Sequence, residues 1–139
     1  DGVKYYNDSK GTNIDALRRA LEAMPQGANG EKNIWLIAGG QDKEMHFHDA
    51  GPELSCRVKE ALLIGEASDK IRAAWSLFTA CHQVASLAEC VEETRRKANP
   101  GDVVLLSPAC ASFDMFENYQ ARGDAFRHLV LQIAKETAG

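Results

Sequence analysis

Stretches of the chain that are apolar at every position constrain its fold most. Ile34 to Ala38 inside a candidate strand at Asn33 to Ala38, then Ala61 to Ile64, and finally Val103 to Leu106, carry no polar residue. A half-exposed strand would alternate, so these strands are expected to be covered on both faces. A shorter β-rich stretch, Val3 to Tyr6, precedes them, and Leu77 to Cys81 is the candidate for a further short strand. Between them, apolar residues recur at helical spacing. Ile14, Leu17, Leu21 and Met24 form one stripe, with Thr12 or Asn13 as cap. Ser68 to Trp75 forms another, with Ile71, Ala74 and Trp75 inward. A capping box, Ser86-x-x-Glu89, opens a third with Leu87, Cys90, Val91, Thr94 and Ala98 on one face. The last runs through Phe126, Leu129, Val130, Ile133, Ala134 and Thr137, with Asp124 as its expected cap. Residues 41–53 read as irregular or briefly helical. Buried strands alternating with amphipathic helices predict an α/β fold: a mainly parallel, doubly wound, Rossmann-like sheet with helices on both faces.

A chain of 139 residues buries about two-thirds of its unfolded surface, enough for one core, so a single domain over residues 1–139 is expected. The 16 Lys and Arg against 20 Asp and Glu leave a net charge of -4, and no general basic footprint recommends a nucleic-acid partner. No apolar run approaches the ~20 residues of a bilayer crossing. No membrane partner and a cytoplasmic location are therefore expected. Cys56, Cys81, Cys90 and Cys110 show no CxxC pair and read as free thiols in a reducing compartment. His46-x-His48 lacks a third ligand nearby, so no metal site is assigned. The chain starts at Asp1, without Met, as a piece of a longer protein would.

In a doubly wound sheet, ligands bind beyond the carboxyl ends of the strands, which selects the loops to read. Asn7-Asp8-Ser9-Lys10-Gly11-Thr12-Asn13 places an ammonium beside a helix N-terminus, a combination suited to phosphate or carboxylate. On spacing alone, Asp8 and Lys10 could equally be solvated loop charges and Thr12 a cap. Gly39-Gly40-Gln41-Asp42-Lys43 lets backbone approach a ligand with Lys43 above it, or forms a tight turn with a surface lysine. No GxxxxGK[ST] occurs anywhere, so a complete triphosphate cradle is missing. Ser107-Pro108-Ala109-Cys110-Ala111-Ser112-Phe113 offers small residues and hydroxyls, followed by Phe116, which suits inward packing, Tyr119 and an Arg122-Gly123-Asp124 turn. Cys110 has no histidine near it in sequence and is not read as a nucleophile. Together these loops imply a small, multiply anionic ligand.

At these same loops the sequence resembles the carboxy-terminal domain of the Mur ligases. The resemblance rests on residues 7 to 13 and 39 to 43, and on Leu-Leu-Ser-Pro-Ala-Cys-Ala-Ser-Phe-Asp-Met-Phe at 105 to 116, continuing to Asn118-Tyr119 and Arg122-Gly123-Asp124. The last motif points to the members that add D-glutamate. The resemblance implies an ATP-dependent amide-bond-forming ligase of peptidoglycan precursor synthesis, built of three domains. An N-terminal domain would hold the UDP-sugar, a central ATPase domain the P-loop and Mg2+, and this domain would close over both; alone it is expected to be inactive. UDP-N-acetylmuramoyl-L-alanine would be activated as an acyl phosphate and attacked by the amine of D-glutamate. By matching position, Asp8 would accept from the ATP ribose, and Lys10 would stabilise charge at the transferring phosphoryl and tetrahedral centre. Thr12, Lys43, Ser112 and Phe113 would hold the carboxylates of D-glutamate, with Tyr119 completing the pocket. Gly11 stands where the family commonly has alanine and is expected to loosen the loop; Tyr119 stands where some members have phenylalanine. The rival expectation is a free-standing flavodoxin-like module that binds a phosphorylated ligand or a protein partner without catalysis.

Overall fold

The computed structural model describes residues 2–27, 30–41, 46–110 and 116–138. Five strands, β1 (Lys4–Asn7), β2 (Ile34–Gly39), β3 (Val58–Ile64), β4 (Ala80–Gln83) and β5 (Val103–Leu106), form one sheet in the order β1-β5-β2-β3-β4. Every pairing is parallel. The expected doubly wound α/β architecture is therefore the observed one.

Side-chain alternation along each buried strand sorts the core into two layers. Leu36, Ala38, Leu63, Val103 and Leu105 face α1 (Ile14–Ala23), a 3-10 turn (Phe47–Ala50), α2 (Gly51–Arg57) and α3 (Ser68–Trp75). Leu17, Leu21, Leu54, Ile71 and Trp75 complete that layer, where the Trp75 indole donates to the Phe47 carbonyl at 2.7 Å and its ring meets Phe47 edge-on. Trp35, Ile37, Leu62, Ile64, Val104 and Leu106 face the opposite way, toward α4 (Leu87–Lys97) and α5 (Tyr119–Ala138). Phe116 packs against this second layer, as its sequence context suggests.

Local signals placed several boundaries well. Asn13 caps α1, its side chain accepting from the Ala16 N–H at 2.8 Å. Ser86 caps α4 by accepting from Glu89 N–H. Other expectations need correction. β3 begins three residues before its apolar run, because Lys59 and Glu60 find partners across the sheet: Lys59 pairs with Asp102 and Glu60 with His82 on β4. β4 lies at 80–83 rather than 77–81; it is an edge strand, and Leu77 stands 91% exposed outside it. The brief helical character expected within 41–53 is the 3-10 turn at Phe47–Ala50 and the first turn of α2, but α2 runs on to Arg57, past the expected bound, with Leu54 as its only large buried side chain. α5 begins at Tyr119, not after Asp124: Asn118 caps it by accepting from Ala121 N–H at 2.8 Å, so Arg122-Gly123-Asp124 is helix and not turn. Thr137, assigned to the inner face of α5, lies outside the described side chains.

Candidate functional site

The chain leaves β1 and β2 toward one face of the sheet and leaves β5, which lies between them, toward the other. The carboxyl end of β5 is therefore flanked by the crevices in which doubly wound folds bind ligands. Backbone hydrogen bonds join the loops there. Asp8 N–H donates to the Leu106 carbonyl (2.7 Å), Ala109 N–H to Gly11 (2.9 Å), Ser107 N–H to Ile37 (3.2 Å) and Gly39 N–H to Pro108 (3.0 Å). Residues distant along the chain thus share one rim.

Two features hold this rim in shape. Gly39 sits at a φ of +124°, and a Cβ there would lie 1.9 Å from the Ile64 carbonyl oxygen, so no side chain fits. Ala109 adopts a φ of 62° while fully buried, a conformation costing about 1 kcal/mol or more that its hydrogen bond to Gly11 helps maintain.

Asp8 is half-buried, and its Oδ2 accepts from Ser107 Oγ at 2.9 Å. Gly11 sets that orientation. A Cβ on residue 11 would come within 2.5 Å of Asp8 Oδ2, and the Gly11 N–H donates to the Asp8 carbonyl at 2.8 Å. The glycine thus makes room for the carboxylate to fold back over a hydrogen-bonded turn. Lys10 is exposed and Thr12 is half-buried ahead of the α1 cap. Asp8, Lys10, Gly11 and Asn13 line one open cleft of about 580 Å³ beside β1, to which α1 adds a second cation, Arg19. The cleft suits an extended anion carrying hydroxyls: ammonium and guanidinium on its walls, one fixed carboxylate to accept.

Tyr119 is 36% exposed at the start of α5, and its carbonyl accepts from Ser9 Oγ at 2.7 Å, which ties it to the same rim. Lys43, Ser112 and Phe113 lie outside the described residues. Sequence reasoning passed over Ser9, Ser107 and Arg122, which fasten the loops together. Arg122 was detectable, for it stands one helical turn before Phe126 on the inward stripe.

The cysteines remain free: Cys90 and Cys110 are buried, Cys81 is half-buried and Cys56 is exposed. Burial, aided by Glu89 and Glu93, pushes the Cys90 thiol up to about 12. Among the described residues, no group of three or more His, Cys, Asp or Glu side chains could hold a metal. Among the same residues, no helix is long and apolar enough to cross a membrane.

Fold and rim define a parallel α/β domain whose candidate ligand edge is assembled from the loops after β1, β2 and β5. Residues 1–110 match the family described as Mur ligase, glutamate ligase domain, and the chain belongs to that family. It is 48% identical over 134 residues, 96% of its length, to the UDP-N-acetylmuramoylalanine–D-glutamate ligase of Pseudomonas fluorescens, and 45% identical over 130 residues to the ligase of that name from a Geobacter species. It spans 30% and 27% of the length of those two relatives. Folylpolyglutamate synthase from Thermotoga maritima shares the fold, with a TM-score of 0.50 at 11% identity over 70% of this chain and 23% of that one.

Proposed function

We propose that residues 1–139 form the carboxy-terminal domain of a three-domain, ATP-dependent ligase that joins D-glutamate to UDP-N-acetylmuramoyl-L-alanine. The observation that carries the reading is the meeting of motif-bearing loops at the end of β5, in a chain 48% identical to a ligase of that name. Amide formation from a carboxylate and an amine needs an activated acyl group, and ATP supplies it as an acyl phosphate. In this reading the P-loop, Mg2+ and UDP-sugar contacts belong to parts of the enzyme outside this chain, and the reaction takes place in the cytoplasm.

Within this chain, Asp8 accepts from the ATP ribose. Its orientation by Ser107 fits that role, since a carboxylate held by one donor keeps further lone pairs for another. Lys10, exposed on the cleft wall, stabilises negative charge as the phosphoryl group transfers and the tetrahedral centre forms. Thr12, Lys43, Ser112, Phe113 and Tyr119 hold D-glutamate, whose two carboxylates require two separated donor clusters. Holding amine and acyl phosphate together lowers the barrier by orientation, and domain closure brings this rim to the nucleotide.

The test is steady-state kinetics on the full-length enzyme. Lys43→Ala is expected to raise KM for D-glutamate more than KM for ATP. The reverse order would remove Lys43 from the amino-acid pocket, and a wild-type enzyme that does not ligate D-glutamate would end the reading.

A further inference from the structure

Arg122 is a full charge with 1% of its surface exposed, and none of the roles assigned above uses it. Its Nε donates to Ser9 Oγ (2.9 Å), its Nη2 to the Ser9 carbonyl (2.7 Å) and its Nη1 to the Cys110 carbonyl (3.1 Å). Ser9 Oγ passes the connection on by donating to the Tyr119 carbonyl. Asn7 reinforces the same turn: its Oδ1 accepts from Ser9 N–H at 3.1 Å and its Nδ2 donates to the Gly123 carbonyl at 2.9 Å. One guanidinium therefore fastens the turn after β1 and the segment after β5 to the first turns of α5.

Burying a guanidinium forfeits several kcal/mol of hydration, and acceptors must replace it. Among the described residues the acceptors include one hydroxyl and two carbonyls, from segments about a hundred residues apart in sequence. A planar fork reaches such divergent acceptors at once; a lysine ammonium, with its donors on a single atom, does not. An apolar residue of similar volume would fill the space but leave the Cys110 and Ser9 carbonyls without this donor.

What the clasp holds in place is the backbone of residue 9, and residue 10 is Lys10. We propose that Arg122 is a positioning residue for the ligation chemistry. Through Ser9 it fixes the Cα of Lys10, and hence the arc its ammonium sweeps over the cleft, without touching substrate. This inference rests on the role proposed for Lys10. It separates Arg122 from pocket residues, whose loss weakens binding: a positioning residue governs the geometry of the reacting groups.

The experiment is kinetics and thermal melting of the full-length enzyme carrying Arg122→Lys or, separately, Ser9→Ala. Small misplacements of catalytic groups can cost about 100-fold, so Arg122→Lys is expected to lower kcat per folded molecule by about 10-fold to 100-fold. KM for ATP and for D-glutamate should move little by comparison. Ser9→Ala, which removes one acceptor and leaves the Ser9 carbonyl, should lower kcat in the same pattern but less, and it decides the matter if Arg122→Lys does not fold. Normal kcat per folded molecule with only a lowered melting temperature would make the clasp structural and overturn the proposal. Raised KM with normal kcat would do the same. A wild-type enzyme inactive toward D-glutamate would end the functional reading and this inference together, whereas an active wild type with unperturbed variants would end this inference alone.

Discussion

Lys10 adjoins Ser9 in the chain and Arg122 donates to Ser9 through two hydrogen bonds, yet the environment gives the two cations opposite characters. Lys10 projects into solvent, and its charge contributes little to stability. Lys10→Ala in the full-length enzyme is therefore expected to lower turnover by about 100-fold or more, the scale for losing a group that stabilises transition-state charge. Its stability should change by no more than about 0.5 kcal/mol by urea unfolding. Gly11 shows a similar dependence on surroundings. Replacing a loop glycine by alanine commonly adds about 0.4–1 kcal/mol where the backbone is compatible. Gly11→Ala is expected to bring no such gain, because the new methyl group meets Asp8 Oδ2 and the carboxylate must leave Ser107; chemical denaturation of the variant checks this. Burial separates the thiols in the same way: native protein should label at Cys56 with a thiol reagent, and at Cys90 and Cys110 only once it unfolds.

At the level of elements, the ends of helices and strands carry much of the specificity. Ser86 caps α4 through Glu89 N–H, and Ser86→Ala should cost about 1 kcal/mol in urea denaturation. At the opposite end of the sheet from the ligand rim, Asp102 precedes β5 and accepts from Asn99 N–H, the Trp35 indole and Lys59 Nζ. Burial alone would raise its pKa. The hydrogen bonds and the Lys59 charge outweigh burial and hold the carboxyl below its ordinary value. A carboxyl whose native pKa is depressed contributes stability that is fully present above the unfolded value of about 3.9. That contribution disappears as pH falls through the lowered native value. Unfolding free energy measured against pH should therefore drop on the acid side, and Asp102→Asn should be less stable at neutral pH with a flatter acid limb. α2 explains why elements are unevenly legible. Pro52, Glu53, Ser55 and Cys56 show no apolar period, and a helix with one large buried contact announces itself weakly. α3 and β5, by contrast, follow the bounds their apolar patterns set.

For the molecule as a whole, α5 closes the second layer of the core. Phe126 is buried between this helix and the sheet, and Phe126→Ala should cost about 3–5 kcal/mol, a large part of the 5–15 kcal/mol typical of a whole domain. Urea unfolding followed by tryptophan emission measures it, since Trp35 lies in the same layer. The layered α/β class was legible from apolar runs and helical stripes, because burial on two faces leaves a periodic mark within a few residues. The loops proposed to meet ligand could be singled out too, as a glycine pair, a lysine beside a cap and a run of small residues can be recognised locally. The placing of β5 between β1 and β2, the turning of Asp8 toward Ser107 and the burial of Arg122 against Ser9 and Cys110 were not. Asp8 meets Ser107 across 99 residues and Ser9 meets Arg122 across 113, and pairings over such distances leave no periodic trace in the chain. They arise when the strands find their order and a buried charge must take whatever acceptors that order brings within reach.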